Sequence, residues 1–174
     1  MLTLVRHLFA VAVLPFTVAV LIPLWIARQY HVAVVVGANA LELVTQLVGI
    51  AFVAIGLLLF GESLRHFVVK GHGTLAPWDP PKHLVVDGPY RYVRNPMISG
   101  VLFVLFGEAL VLLSWPHARW ALLFLCINLI YIPLLEEPLL QARFGDSYRN
   151  YRHHVRRFIP RLRPWPPRDR GNDN

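Results

Sequence analysis

Four apolar stretches, residues 4–27, 41–60, 97–115 and 118–135, approach or reach the length that crosses a bilayer, and they govern what this chain can fold into. A hydrocarbon core takes about 20 apolar residues as helix, and within it only helices or closed barrels satisfy their own backbone groups. Composition agrees: 56% of the chain is hydrophobic and 16% charged, against roughly 25% charged in an ordinary soluble domain. The expected fold class is all-α, a multi-pass transmembrane helical bundle of about four spans. The first stretch is too long for the apolar part of a signal peptide and lacks a small-x-small cleavage pattern, so it is expected to remain as a helix. Pro15 and Pro23 should kink it.

The basic residues give the bundle a direction. Arg6 precedes the first span and Arg28 follows it. Five more positive charges lie between spans two and three, Arg119 lies beyond span three, and nine arginines follow span four. With four spans, fifteen of the seventeen fall on one side, which the positive-inside rule makes cytoplasmic, with both termini. The expected location is an integral, multi-pass one, the inner membrane in a bacterium. The lipid bilayer is the implied partner. Nucleic acid is not, because the arginines flank apolar spans and form no soluble basic face.

Spans three and four are separated only by Pro116 and His117, which demands a tight antiparallel hairpin. Span two should continue as helix to Gly71, the first breaker after it, and GHGTLAPWDPP from Gly71 is loop by turn chemistry. In the tail, Phe144, Tyr148, Tyr151 and Val155 recur at helical spacing behind Gly145. That predicts an amphipathic helix lying on the membrane surface or folded back over the central loop. Residues 1–162 form a single domain by this reading, and 163–174, with little to bury, a disordered tail.

Polar groups inside apolar spans need partners or a purpose. Glu108 lies deep in span three and is expected to be functional, whereas Glu42, Thr45, Gln46 and Asn128 suit interhelical hydrogen bonds. Gly49 and Gly56, and Gly100 and Gly107, are each seven residues apart and suit close helix packing, although Gly100 could also make room for a ligand. Glu136 and Glu137 point about 100° apart on a helix, so one should bind a ligand and the other a cation. Cys126, the single cysteine, is expected as a small buried hydrophobe. The weak G-x-G-x-x-A match at Gly71, Gly73 and Ala76 is followed at once by prolines and lacks a βαβ context. His72, His83, His153 and His154 lack metal-ligand spacing, so no metal is expected.

Two blocks then carry a resemblance. GTLAPWDPPKHLVVDGPYRYVRNPM, followed by the apolar hairpin and EEPLLQARFGDSYRNYRHHVRRFIPR, resembles the isoprenylcysteine carboxyl methyltransferase family and its relatives among the phospholipid N-methyltransferases, over roughly residues 71–161. Gly88, Tyr90, Arg94, Pro96, Gly100, Glu136, Glu137, Phe144, Gly145, Tyr148 and Tyr151 match the family motifs. The resemblance implies an S-adenosylmethionine site formed by the cytoplasmic loop at the start of span three, the facing side of that span, the end of span four and the C-terminal amphipathic helix. By position, the cofactor set would be Arg91, Asn95, Pro96, Met97, Ile98, Gly100, Phe103, the turn Glu108, Ala109, Leu110 and Val111, and Glu136.

Arg94 is expected to act in catalysis, with Glu137 or Tyr90 able to take a proton from an amine. The acceptor would be a small or lipophilic molecule bearing a carboxylate, thiol or amine. Three positions depart from the pattern: Asn95 replaces a histidine, Ile98 a tyrosine, and Ile132 an arginine that prenylcysteine enzymes keep on the substrate side. A carboxylate acceptor loses a partner at Ile132. Two other readings compete: an NADPH-dependent membrane reductase related to sterol reductases, and a non-catalytic membrane scaffold.

Overall fold

The computed structural model describes residues 12–71 and 83–165, so the Gly71–Ala76 match lies almost wholly outside it. Five helices follow one another: α1 (Ile22–Gln29), continuous with a π-helical stretch Ala12–Leu21; α2 (Ala40–Gly71); α3 (Pro96–Val111); α4 (Trp115–Tyr131); and α5 (Glu137–His154), joined to α4 by the π-turn Ile132–Glu136. No strand occurs among the described residues. Two helical rods are long and apolar enough to cross a membrane, Ala40–Val69 and the continuous Trp115–His154, while Leu14–Gln29 and Pro96–Val111 are shorter. At 1.5 Å per residue α3 is only about 24 Å long, short of a full hydrocarbon core on its own.

Helix α2 runs unbroken to Gly71, as its lack of breakers predicts. Its start is fixed by a reciprocal cap: the Glu42 amide donates to Asn39 Oδ1 (3.0 Å) and Asn39 Nδ2 donates to Glu42 Oε1 (2.9 Å). This satisfies end groups that a helix leaves open. Much of the α2 surface is apolar and exposed, as at Leu41 (77%) and Leu58 (71%), a surface suited to lipid and costly in water.

The other face of α2 packs antiparallel on α3 through glycine. A Cβ on Gly49 would stand 2.8 Å from the Gly107 carbonyl oxygen, and one on Gly56 only 2.7 Å from that of Gly100. Backbone faces backbone at both crossings. Gly56→Ala is therefore expected to force the helices apart at a cost of about 1–3 kcal/mol, seen as a lower thermal midpoint in detergent. Gly61→Ala, where an added Cβ meets open space, should leave that midpoint unchanged or slightly higher, alanine being the better helix former.

The hairpin turn differs from the expectation. Leu112–Ser114 make it, with Leu113 at φ 47°, and Pro116 and His117 lie inside the first turn of α4. The first turn of a helix accepts proline because its amides have no intrahelical acceptor. His117 is 2% exposed. Its Nδ1 accepts from Ser114 Oγ (2.7 Å), and its Nε2 donates to the Pro23 carbonyl (3.1 Å). Trp120 Nε1 donates to the Val18 carbonyl (3.1 Å). Proline lacks an N–H, so kinked apolar helices have carbonyls that neighbouring side chains can satisfy. His117→Phe should cost about 1–3 kcal/mol by removing two buried hydrogen bonds and leaving the Ser114 hydroxyl without its partner, measured by the same unfolding assay.

Leu105, Val101 and Ala121 form the core between α3 and α4, packed by Val18, Phe60, Trp120 and Phe124. Cys126 is exposed, beside the exposed Leu122, Leu123 and Ile127. Its apolar surroundings are the outer face of α4 rather than the protein interior. Asn128 bonds within its own helix, to the Phe124 carbonyl. Gln46 makes a tertiary link, donating to the carbonyls of Val111 (2.9 Å) and Val35 (2.7 Å).

Candidate active site

The polar end of the bundle is assembled from three segments: the turn leading into α3, the end of the α4 rod, and the chain after α5. The turn starts at Gly88, where φ is 56° and an added Cβ would collide with the His66 ring of α2. Only glycine suits both conditions. A single 3₁₀ turn (Gly88–Arg91) follows, and its Tyr90 carbonyl accepts from Tyr151 Oη at 2.6 Å.

Tyr148, Tyr151 and Val155 are buried together against Leu84, Val86, Phe144 and Trp165. The tail helix thus folds back over the end of the central loop, one of the two expected placements. Gly145 allows this, since its φ of 53° and ψ of −128° break the helix in a conformation essentially closed to other residues. Trp165, expected in a disordered tail, stacks on His154 (5.6 Å, 19°) and packs on Tyr151. It also exchanges hydrogen bonds with Arg91: its amide donates to the Arg91 carbonyl (3.0 Å) and Arg91 Nε donates to its carbonyl (2.9 Å). An indole amid a polar run found a surface to bury on, which composition alone did not show. Residues 166–174 lie outside the described chain.

The chain after α5 lies along the turn as a strap. The Arg94 amide donates to the Arg156 carbonyl (2.9 Å), Asn95 N to Arg157 O (3.3 Å), and Arg161 N to Tyr92 O (2.9 Å). Beneath the strap, Glu137 is 2% exposed and faces three guanidinium groups. Arg157 Nε lies at 2.8 Å, Arg94 Nη1 at 3.2 Å and Arg152 Nε at 3.5 Å. Arg94 Nη1 also donates to Tyr148 Oη at 3.4 Å.

These contacts separate the two carboxylates. The apolar part of the rod ends at Leu135. Pro133 and Pro138 flank the π-turn that follows, where missing N–H groups loosen the i→i−4 ladder. Burial alone would push the Glu137 carboxyl up, but Arg157, Arg94 and Arg152 bring it net below its ordinary value. Glu136 is half-buried and makes no hydrogen bond among the described residues. Burial and the neighbouring Glu137 push its carboxyl above the ordinary value.

Several sequence expectations change here. Glu137, expected to take a proton, anchors arginines, and they hold its carboxyl below the ordinary value, which makes it too weak a base to take a proton near neutrality. Tyr90 is also unsuited, because burial, Tyr151 and Glu136 all push its phenol well up. Arg91 is bound to the Trp165 carbonyl. Gly100 is filled by the backbones of Gly56 and Phe60, and Phe103 lies against Phe52 of α2 at 5.0 Å, so both serve helix packing.

Glu108, Ala109, Leu110 and Val111 sit at the far end of α3, about 20 Å from Asn95 at 1.5 Å per residue. Ala109 and Leu110 line an apolar groove of about 430 Å³ with Phe52, Phe106 and Trp115. A ligand that met both that end of α3 and the strap end would have to lie extended along the helix. What remains together is Arg94, Asn95, Pro96, Met97 and Ile98 with Glu136. Arg157 and Trp165 belong to the same assembly and had no sequence signal beyond a run of arginines.

The strap end also holds unsatisfied groups. Arg94 Nε and Asn95 Nδ2 are buried donors with no hydrogen-bond partner. Pro96 opens α3, leaving the first-turn amides of Met97 and Ile98 without intrahelical acceptors. Buried donors without acceptors, and a carboxyl nearby without a hydrogen bond, suit a ligand carrying both charges. Among the described residues no group of three His, Cys, Asp or Glu side chains is placed to hold a metal.

The described helices thus form an apolar bundle with a charged cradle at the start of α3. The phospholipid methyltransferase family profile matches residues 44–147, and the chain belongs to that family. It is 30% identical over 113 residues to the protein-S-isoprenylcysteine O-methyltransferase of Schizosaccharomyces pombe, covering 62% of this chain and 48% of that protein. It is 30% identical over 96 residues to the phosphatidylethanolamine N-methyltransferase of Zygosaccharomyces rouxii, covering 55% and 11%. The chain therefore spans about half the length of the first relative and about a tenth of the second. No solved structure matches it.

Proposed function

We propose that this chain is a multi-pass membrane methyltransferase that takes its methyl group from S-adenosylmethionine and passes it to a small or lipid-like acceptor at the cytoplasmic face. Family membership supports the reaction class. The observation that carries the site is the pair of buried donors without acceptors, Arg94 Nε and Asn95 Nδ2, with Glu136 near enough to feel the Arg94 charge. Arg94, Asn95 and the amides of Met97 and Ile98 would hold the cofactor's carboxylate, and Glu136 its ammonium or ribose hydroxyls. When bound, the cofactor supplies an electrophilic methyl group on a sulfonium.

Methyl transfer of this kind asks the protein for alignment and for exclusion of water. Glu137 holds Arg94 in place, and the strap at residues 156–161 is hydrogen-bonded along the turn. Neither Glu137 nor Tyr90 is tuned to take a proton near neutrality, which suits an acceptor that reaches the site already able to attack. Ile132 is 1% exposed and apolar, so no positive charge stands there to meet an acceptor carboxylate. The distribution of arginines supports a cytoplasmic strap end, with four membrane segments made by the two long rods and the two shorter apolar helices.

Incubation of the purified chain with methyl-labelled cofactor and a membrane lipid extract should place label in a lipid or small-molecule fraction. Absence of label from every fraction, together with no calorimetric heat on titration with S-adenosylhomocysteine, would sink this reading and leave a scaffold role.

A further inference from the structure

The segment RRFIPRLR after α5 exposes apolar and cationic side chains together. Ile159 is 61% exposed and Leu162 fully so. Arg157 is engaged by Glu137 and Arg161 by the His154 carbonyl. Arg156 and Arg163 are exposed and have no partner among the described residues. Single exposed leucines are common on protein surfaces, so exposure alone decides nothing.

Position decides it. The backbone of this segment is hydrogen-bonded to Tyr92, Arg94 and Asn95, and Asn95 immediately precedes the apolar helix α3. The segment is thereby held where apolar helix gives way to polar chain, the headgroup level of a bilayer. At that level Ile and Leu reach the acyl boundary while arginines meet phosphates. A soluble acidic partner would pair the arginines and leave Leu162 in water.

We propose that this segment docks on an anionic phospholipid leaflet, inserting Ile159 and Leu162 and pairing Arg156 and Arg163 with headgroup phosphates. The same segment supplies the carbonyls that hold the Arg94 and Asn95 amides, so docking clamps the cradle at the start of α3. A lipid surface richer in negative charge then favours the closed cradle. The proposal rests on the membrane placement of α3 and not on the transfer chemistry.

The test uses the full chain in nanodiscs, with Cys126→Ser as background and an environment-sensitive fluorophore on Leu162→Cys. In phosphatidylcholine discs carrying phosphatidylglycerol, emission should shift to the blue and be quenched by spin-labelled lipid. Phosphatidylcholine alone should give weaker effects, as should the Arg156→Ala, Arg163→Ala double variant in anionic discs. Water-like emission in both disc types, or a blue shift indifferent to headgroup charge, would overturn the anionic docking. Hydrogen exchange of the Arg94 and Asn95 amides should slow severalfold in the anionic discs, and unchanged exchange would refute the clamp. Neither readout involves the cofactor, so failure here is distinct from failure of the methyltransferase reading.

Discussion

Glu137→Gln is expected to lower the unfolding midpoint of the detergent-solubilised chain further than any other single change at the strap end. Glu137 and Arg94 expose only 3% and 8% of their side chains, and removing one partner of a buried pair costs about 3–5 kcal/mol because the other charge stays buried. Arg152, 54% exposed, is largely screened, and Arg152→Ala should cost less than about 1 kcal/mol. The pH dependence follows from the direction of the shift. Because the folded Glu137 carboxyl sits below its ordinary value of 4.5, its stabilising effect is complete above that value. It is lost as pH falls through the depressed folded value. Thermal midpoints measured from neutrality into acid should fall in the parent chain, and that part of the fall should be missing in Glu137→Gln. A midpoint unaffected by the substitution would show that the arginine cluster does not hold the strap.

Glu136→Gln is expected to do the opposite to the fold and the most harm to binding. With the folded carboxyl raised above 4.5, its favourable contribution is present at low pH and fades as pH rises through the raised value. At neutral pH the charged group therefore opposes folding, and the amide should leave the midpoint unchanged or higher. If Glu136 meets the cofactor's cationic or hydroxyl groups, the variant forfeits a charge-assisted hydrogen bond of about 1.5–3 kcal/mol, or roughly 10- to 150-fold in affinity. Titration calorimetry with S-adenosylhomocysteine measures this directly. Retained affinity in Glu136→Gln would remove the residue from the cofactor site. A fall in both affinity and midpoint would mark it as structural.

Much of the scaffold could be read from residue order. Breaker-free apolar runs predicted α2 to its last residue, and the seven-residue glycine spacings identified the faces on which α2 and α3 meet. Gly145 foretold the break in the tail helix because its conformation depends on the residue itself. The hairpin turn was misplaced by three residues, since Pro116 is tolerated in a first turn as well as in a loop. The span lengths were overestimated for α3, because hydropathy does not register where the backbone stops being helical.

The site was legible as a set of residue types but not as a geometry. Resemblance assigned Asn95 and Glu108–Val111 to one cofactor site along span three, and the helix that carries them sets them about 20 Å apart. Adjacent glutamates look alike in sequence, and which of them becomes the arginine anchor depends on the direction each takes from the π-turn. The identity of the partners was equally hidden: Arg157 reaches Glu137 from twenty residues away, through a strap whose path follows from backbone hydrogen bonds to Tyr92, Arg94 and Asn95.

The sequence by itself determined a helical membrane chain, its charge asymmetry and its family, because apolar length, arginine placement and motif spacing are local properties. Only the tertiary structure decided that Glu137 is neutralised while Glu136 stands unbonded, and that Trp165 belongs to the fold. Burial and long-range pairing set the energy of each of these groups, and both depend on what the folded chain brings alongside.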